Sequence, residues 1–287
     1  MKYCLSVLPD IDARLERAER VLIATDFDGT LCPIVDTPSQ ACLAPATIEI
    51  LRHAIACPRL TLAVISGRSL SDVRRRLPLD VIFAGNHGLE LAGGGLEFEH
   101  AGAQQLRPSI AGACEALRSL LSNWPDAWIE DKGLTATLHF RKVEQRQHNP
   151  LLFAARRALG IFGPQLALRV GKMALEVRPR VQWDKGSALQ YIREKAGPFQ
   201  ACICIGDDLT DESMFRENRD QVNIRIGCSR MSAATHYLAR PNEVAILLSH
   251  IVDIYGSPAR SPWTSSRASA HAAASGNLNV DSMAHPD

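Results

Sequence analysis

The sequence lacks the features that usually assign a protein to a membrane or to an export route. No apolar run within the 287 residues reaches the length of a membrane span, and residues 1–10 contain too short an apolar stretch for a secretory signal. The net charge is only +1, so neither nucleic acid nor an anionic membrane is expected as a main partner. These absences lead us to expect a cytoplasmic protein.

Zinc and redox motifs are also missing, although the chain has eight cysteines. No two of them form a C-x-x-C pair, and their spacing suggests no zinc site. Cys202 and Cys204 fall on one face of an apolar run, a position typical of reduced core residues. Because export features are lacking, we interpret all of them as reduced. The cysteines are Cys4, Cys32, Cys42, Cys57, Cys114, Cys202, Cys204 and Cys228.

The most informative stretch is an apolar run, residues 21–24, that leads into Asp26, Asp28 and Gly29. Side chains alternate along an extended segment, so both carboxylates would point at one spot. Two carboxylates so close repel each other unless a cation or a shared proton lies between them. We interpret the pair as part of a site for a hard divalent metal, Mg²⁺. A strand that runs into an ordinary Asp/Gly turn would give the same pattern.

Apolar runs of strand length alternate with helical patterns on both sides of a central segment. This alternation predicts an α/β fold with a doubly wound, Rossmann-like parallel sheet. The predicted strands cover residues 21–26, 60–65, 80–84, 201–205 and 222–226. The predicted helices cover residues 10–20, 46–56, a segment from 69 onward, 184–196 and 243–255.

The central segment, residues 103–179, has a different pattern. Helices over about 109–122 and 150–159 are each followed by a hairpin signal, over 127–140 and 166–178. We predict an inserted α+β (αββαββ) domain whose sheet has helices on one face and polar side chains on the other. The core domain would then comprise residues 1–102 and 180–256. Residues 257–287 are rich in Ser, Ala, Pro and Gly, and we predict that they are disordered.

Polar side chains follow four of the predicted strands. They are Asp26 with Asp28, Ser66, Asn86 with His87, and Asp207 with Asp208 and Asp211. The carboxyl ends of parallel strands share one edge of a sheet, so these clusters should converge. The carboxylates offer hard oxygen ligands for Mg²⁺. Ser66 and the amide of Gly67, at a helix start, can hold anionic oxygens, while Lys185 contributes a positive charge.

The order, spacing and strand context of these residues resemble the four motifs of haloacid dehalogenase-type phosphatases. The resemblance implies that Asp26 is the nucleophile and forms an aspartyl-phosphate. Asp28 would protonate the leaving oxygen and then act as base for the attacking water. Ser66 and Lys185 would hold the transferring oxygens.

The same resemblance implies a Mg²⁺ ion held by Asp26, Asp28 and Asp207, with Asp28 contributing through its backbone carbonyl. Asp208 and Asp211 are expected just behind these ligands, where they can orient the ligands or Lys185. Asp28 is informative because transport ATPases of this superfamily have Lys at that position. A carboxylate there favours a phosphatase or a phosphomutase.

The insert lies between the third motif-bearing strand and Lys185, and the chain has the segments 86–90 (NHGLE), 130–133 (EDKG), 139–141 (HFR) and 171–179 (GKMALEVRP). In its position and in these segments it resembles the type 2 cap of trehalose-6-phosphate phosphatases. The resemblance implies hydrolysis of trehalose 6-phosphate, a small-molecule sugar phosphate, by a monomer that is functionally coupled to a trehalose-6-phosphate synthase. Carboxylates would accept hydrogen bonds from sugar hydroxyls, and Lys or Arg would donate to them. The implied substrate-binding residues are Gly67, Arg68, Asn86, His87, Glu130, Lys132, Arg141, Lys172 and Glu176.

Two other functions remain open at the level of sequence. A phosphatase for sucrose 6-phosphate or mannosyl-3-phosphoglycerate would share the core and differ in the cap. A non-catalytic sugar-phosphate-binding module would be expected to have lost Asp26, Asp28, Lys185 or Asp207, yet all four are present.

Overall fold

A computed structural model describes residues 1–35, 37–171 and 173–256 of the chain. The predicted disorder of residues 257–287 lies outside these residues. Of the helices described, none combines the length and the apolar character needed to cross a membrane.

Strands and helices alternate through most of this chain. The strands are β1 (Lys2–Tyr3), β2 (Val21–Thr25), β3 (Leu60–Ile65), β4 (Ile82–Gly85), β5 (Glu90–Gly93), β6 (Leu96–Glu99), β7 (Trp128–Asp131), β8 (Ala136–His139), β9 (Leu166–Gly171), β10 (Ala174–Pro179), β11 (Ala201–Gly206), β12 (Val222–Ile226) and β13 (His236–Leu238). The α-helices are α1 (Leu8–Leu15), α2 (Pro45–Ala56), α3 (Leu70–Arg76), α4 (Ala101–Gln105), α5 (Arg107–Arg118), α6 (His148–Ala158), α7 (Lys185–Ala196), α8 (Glu212–Glu217) and α9 (Asn242–Gly256).

The larger sheet has the order β1-β13-β12-β11-β2-β3-β4-β5-β6. Its strands are parallel from β1 to β4, and the β5–β6 hairpin extends one edge in antiparallel fashion. Val21 and Ile23 of β2 belong to one apolar cluster, and Leu22 and Ala24 belong to another. Helices therefore cover both faces, which explains why the central strands are continuously apolar. The predicted α/β, doubly wound fold is confirmed.

The smaller sheet is antiparallel throughout and has the order β7-β8-β10-β9. Helices α5 and α6 pack on its apolar face through Ile110, Leu117 and Leu151, against Leu138 and Leu175. Its other face has polar side chains, since cross-strand pairs place Glu130 beside Thr137 and Thr137 beside Glu176. The αββαββ order predicted for this segment is present, while the residue limits of the two domains stay predictions.

Helix ends and the edge hairpin differ from the sequence predictions. Helix α1 ends at Leu15 rather than near residue 20, because Ala18 is buried and the chain must reach the start of β2. Here tertiary contacts override a helix-forming composition. The turn predicted at residues 93–95 joins β5 and β6, whose strand pairing was not predicted. All three glycines of that turn have positive φ, a conformation that favours glycine.

Shortening an apolar side chain on the inner face of the smaller sheet tests this packing. Leu138 is 1% exposed, so Leu138→Ala should lower the free energy of unfolding by about 2–5 kcal/mol. Leu168, on the same face of edge strand β9, is 37% exposed, and Leu168→Ala should cost clearly less. Urea denaturation of both variants measures the difference. Equal losses would contradict the described packing of α5 and α6.

Candidate active site

The two central strands bring Asp26 and Asp207 together at the carboxyl edge of the larger sheet. Thr25 of β2 pairs with Ile205 of β11, and the amide of Asp26 donates to the carbonyl of Ile205 at 2.9 Å. Gly29 has φ +80°, and a Cβ there would lie 2.4 Å from Oδ2 of Asp207. Glycine at position 29 therefore leaves room for the Asp207 carboxylate against the loop after β2.

Lys185 links two carboxylates in the interior of this edge. It is the first residue of α7, which Asp184 caps through the amide of Ser187. Its Nζ donates to Oδ1 of Asp26 and to Oδ1 of Asp211, both at 2.7 Å. Burial alone would lower the pKa of Lys185, but the charges of Asp211 and Asp26 raise it above its ordinary value. Lys185 is therefore a charged ammonium at 2% exposure.

Asp211 has hydrogen-bond partners on both carboxylate oxygens. Oδ1 accepts from Lys185, and Oδ2 accepts from the amides of Asp207 and Asp208, each at 2.9 Å. Asp211 therefore fixes the loop after β11 and orients Lys185, while its place behind metal ligands stays a prediction. Asp208 also uses Oδ1, at 2.6 Å from the amide of Leu209.

The carboxylates of this edge suit a hard divalent cation. Asp26, Asp207 and Asp211 each offer an oxygen within 4.8 Å of the others. Three carboxylates face one ammonium, so a further positive charge would reduce their repulsion. Burial raises the pKa of Asp26 well above its ordinary value; Lys185 opposes the rise, and Asp211 and Asp207 add to it. Oxygen donors of this kind fit Mg²⁺, although both oxygens of Asp211 already accept hydrogen bonds.

The Asp28 carboxylate does not join this cluster. The chain leaves the strand after Thr25 and bends back, so that Asp28 forms a bridge with Cys32. Arg68 holds both oxygens of Asp28, through Nε to Oδ2 and Nη2 to Oδ1, each at 2.6 Å. A planar guanidinium suits such a bidentate pair. The expectation that both carboxylates point at one spot fails because residues 26–28 are not a regular strand.

Asp72 organises the surroundings of Arg68 and was not assigned from the sequence. Its carboxylate accepts from Arg68 at 2.6 Å, from Arg75 at 2.7 Å and from Arg76 at 2.9 Å. Arg76 also donates to the carbonyl of Ala41 at 2.7 Å. Burial alone would raise the pKa of Asp72, but hydrogen bonds from Arg76 and Arg68 lower it to about 2. Arg68 and Arg76 lie four residues before and after Asp72, and this helical spacing could have predicted the ion pairs from the sequence.

The loop Ser66–Arg68 lies beside this network at the end of β3. Ser66 is 1% exposed, and its Oγ accepts from the amide of Arg68 at 3.2 Å. A Cβ on Gly67 would lie 2.6 Å from the ring of His87, so this position requires glycine or a shift of the ring. The predicted grouping of Ser66, Gly67 and Arg68 near the strand ends agrees with these contacts.

Side chains of the smaller sheet reach this loop. Lys132 Nζ lies 3.1 Å from the carbonyl oxygen of Gly67 and 3.6 Å from Oε2 of Glu130. His139, which stacks on Trp128, lies 2.9 Å from the same Glu130 oxygen. Burial alone would raise the pKa of Glu130, but the hydrogen bond with His139 and the charge of Lys132 lower it. A charged carboxylate and an ammonium thus face the core together.

The remaining residues predicted to bind substrate are distributed differently. Glu176 lies among buried groups with His87 and Arg178, whose Nη2 donates to Glu176 Oε2. Arg141 lies beyond the end of β8 and is exposed. Lys172 lies outside the described residues. Arg178 was not assigned a role from the sequence. It shares a strand face with Glu176, and this alternation could have predicted that the two side chains lie together.

His87 is a neutral side chain at the junction of the two sheets. Its Nε2 accepts from Nη2 of Arg178 at 2.6 Å, and Oε1 of Glu176 lies 3.5 Å away. Burial, together with the charge of Arg178, lowers the pKa of His87 to about 4, while Glu176 acts in the opposite direction and Lys185 adds to the lowering. An imidazole that accepts from a guanidinium at Nε2 has its proton on Nδ1.

Comparison with known proteins agrees with this arrangement. The doubly wound sheet with a second sheet inserted between β6 and α7 is the fold expected of haloacid dehalogenase-type proteins. The family model described as trehalose-phosphatase matches residues 24–243. The chain belongs to the trehalose-phosphatase family.

Relatives of known name and structure support this assignment. A probable trehalose-phosphate phosphatase of Oryza sativa subsp. japonica is 31% identical over 262 residues, covering 87% of this chain and 70% of that protein. A Mycobacterium tuberculosis protein named as an uncharacterized glycosyl hydrolase is 37% identical over 269 residues, and the chain spans 20% of its length. The crystal structure of a trehalose-6-phosphate phosphatase related protein superposes with a TM-score of 0.73 at 27% identity, covering 81% of this chain and 97% of that one.

The buried neutral state of His87 should make stability depend on pH. Its pKa is about 4 in the folded chain and 6.5 ordinarily, so the unfolded chain takes up the proton first as pH falls. The free energy of unfolding should therefore drop between about pH 6.5 and about pH 4, by up to about 3 kcal/mol from this group. His87→Gln keeps an acceptor for Arg178 without titrating, and should lose less stability across the window.

Urea denaturation across this pH window measures the effect, with His53→Gln as the matched control. His53 is exposed on α2, and its ion pair with the exposed Glu49, at 3.6 Å, is of the solvent-exposed kind that contributes little to stability. The control should keep the pH dependence of the unaltered chain. Parallel curves for the unaltered chain and His87→Gln would show that His87 is not held neutral.

Proposed function

We propose that this chain hydrolyses trehalose 6-phosphate to trehalose and phosphate. The observation that carries the proposal is the buried ion pair of Asp26 and Lys185. This pair lies at the carboxyl edge of the larger sheet, and the polar face of the smaller sheet faces that edge. Membership of the trehalose-phosphatase family supports the substrate. The presence of Lys185 and Asp207 beside Asp26, and of Asp28 two residues further along the chain, favours an enzyme over a binding module.

In the proposed first step, a carboxylate oxygen of Asp26 attacks the phosphorus atom. The bond from phosphorus to the sugar oxygen breaks, and Asp28 gives a proton to that oxygen, which releases trehalose. Asp28 would take up this proton from solvent after it leaves Arg68 and before the step begins. An aspartyl-phosphate remains on Asp26. Lys185, at 2.7 Å from Oδ1 of Asp26, orients the nucleophile, and Ser66 holds the transferring oxygens together with Lys185.

In the second step, water attacks the phosphorus atom of the aspartyl-phosphate. Asp28, now ionised, takes a proton from this water, and the bond to Asp26 breaks to give phosphate and the original carboxylate. Asp28 can reach these oxygens only if Arg68 releases it, because both its oxygens are bound to Arg68 in the present arrangement. We therefore propose that substrate binding draws Arg68 or Asp28 out of this pair.

A Mg²⁺ ion is part of the proposal. Asp26 and Asp207 would hold it through side-chain oxygens, and Asp28 through its backbone carbonyl. Bound there, the ion would neutralise charge between the Asp26 carboxylate and the phosphoryl group. Asp211 keeps Lys185 and the Asp207 amide in position and needs no direct bond to the metal.

The smaller sheet would bind the sugar part of the substrate and determine specificity for it. We propose that residues 103–179 act as a cap on a core of residues 1–102 and 180–256, and that cap closure excludes bulk water. Glu130 and Glu176 would accept hydrogen bonds from sugar hydroxyls, and Lys132 would donate. Arg141 and Lys172 are proposed as further sugar contacts. We propose a cytoplasmic monomer that acts on the product of a trehalose-6-phosphate synthase.

A substrate panel tests the proposed specificity. Phosphate release should be measured with trehalose 6-phosphate, sucrose 6-phosphate, mannosyl-3-phosphoglycerate and glucose 6-phosphate. We expect kcat/KM to be highest for trehalose 6-phosphate by about 10²-fold or more, because unpaired polar groups in the cap would reject the others. A wide preference for another sugar phosphate would overturn the substrate and leave the chemistry standing.

Substituting the two carboxylates tests the proposed chemistry. Asp26→Asn should abolish turnover, because the amide is not a nucleophile here. Asp28→Asn should lower kcat by about 10²–10⁴-fold through loss of proton transfer. Asp253→Asn, an exposed change on α9, is the control and should leave kcat and KM unchanged. Near-normal activity of Asp26→Asn, free of unaltered enzyme, would rule out the nucleophile assignment.

A further inference from the structure

Three consecutive carbonyl groups of the loop Ser66–Arg68 are bound from outside the loop. The Ser66 carbonyl accepts from the amide of His87 at 2.8 Å, and the Arg68 carbonyl accepts from the amide of Asn86 at 2.6 Å. The carbonyl between them, that of Gly67, accepts from Lys132 Nζ at 3.1 Å. Two bonds therefore come from the segment after β4, and the third comes from the smaller sheet.

The Asn86 side chain extends this connection to the smaller sheet. Its Nδ2 donates to the carbonyl of Lys132 at 3.1 Å and to Oε1 of Glu90 at 2.6 Å. Its Oδ1 accepts from the hydroxyl of Thr135. Both donor hydrogens and the acceptor oxygen are thus used within the protein, at a side chain that is fully buried. Asn86 was predicted to bind substrate, but its contacts are those of a residue that positions other groups.

The His87 side chain makes a second connection. Its ring lies against Gly67, and its Nε2 accepts from Arg178 of β10. Arg178 in turn donates to Glu176, which is a proposed sugar contact. The amide of His87 therefore holds the loop while its ring holds the strand that presents Glu176.

The backbone of these two residues is unusual. Asn86 has φ 49° and His87 has φ 60°, so two successive residues other than glycine adopt the left-handed region. Each costs free energy and persists only where the surroundings determine it strongly. This conformation lets two adjacent residues direct their amides to the loop and their side chains to the smaller sheet.

We propose that Asn86 and His87 are positioning residues that couple the smaller sheet to the loop Ser66–Arg68. Sugar contacts made by the smaller sheet would thereby set the position of the loop that holds the transferring oxygens. This inference rests on the proposed function in that it explains how sugar recognition raises kcat. Neither residue needs to touch the substrate.

If Asn86 and His87 couple the smaller sheet to the loop, substitutions of their partners should lower the hydrolysis of a sugar phosphate more than that of a phosphate ester without a sugar. Thr135→Val removes the hydroxyl that binds Asn86 with little change in shape, and Arg178→Met removes the donor to His87. Each should lower kcat for trehalose 6-phosphate by about 5- to 150-fold, the range of typical coupling. KM should stay unchanged in Thr135→Val, whereas Arg178→Met, which also removes the partner of Glu176, should raise KM as well. Hydrolysis of p-nitrophenyl phosphate, which has no sugar for the smaller sheet to hold, should change little. Arg180→Met is the matched control, because the side chain of Arg180 donates to the backbone carbonyls of Gly163 and Leu166 rather than to His87 or Glu176.

Hydrogen exchange gives a second measurement that does not depend on activity. The amides of Asn86 and His87, which donate to the loop, should exchange about 10-fold faster in Thr135→Val and Arg178→Met than in the unaltered chain or Arg180→Met. Unchanged exchange would overturn the coupling. So would an equal loss of activity toward both substrates, which is the result expected of general damage to the core. If the unaltered chain hydrolysed no trehalose 6-phosphate, the proposed function would fail, and exchange would still decide the coupling.

Discussion

The buried ammonium of Lys185 is the interaction on which the rest of the site depends. It joins Asp26 at the end of β2 to Asp211 in the segment after β11, with 2.7 Å bonds to both. Removing one partner from such a group leaves an uncompensated buried charge, which typically costs about 3–5 kcal/mol. The geometry is maintained because Asp211 also binds the amides of Asp207 and Asp208. Lys185, the first residue of α7, therefore holds the proposed nucleophile Asp26 in place. Through Asp211 it also helps to fix the loop that presents Asp207.

A second set of charges governs the other side of the site. The carboxylate of Asp72 accepts hydrogen bonds from three arginines, and one of them, Arg68, also donates to Asp28. In this arrangement both carboxylate oxygens of Asp28, the proposed proton carrier, are bound to Arg68. Mobility of one side chain pair would be enough to complete the site. In the proposed mechanism, the backbone carbonyl of Asp28 would stay in place for the proposed Mg²⁺ ion while the carboxylate moves.

The fold and the candidate site differ in how far the sequence determines them. Strands such as β2 and β11 are buried on both faces, so their apolar runs identify them without other information. Polar residues just after those runs converge because parallel strands end at one edge, which located Asp26, Ser66, Asn86 and Asp207. The orientation of Asp28 was not predictable, because it depends on Arg68, 40 residues away in sequence. The contact between His87 and Arg178 spans 91 residues and depends on how the two sheets meet.

Detection of a phosphorylated Asp26 tests the central claim most directly. The unaltered protein should be mixed with trehalose 6-phosphate carrying a labelled phosphoryl group, quenched in acid during the first turnover and digested. We predict label on the peptide that contains Asp26, and no label on that peptide in the Asp26→Asn variant. Turnover without labelled Asp26 in a single-turnover quench, or label on another residue, would contradict it.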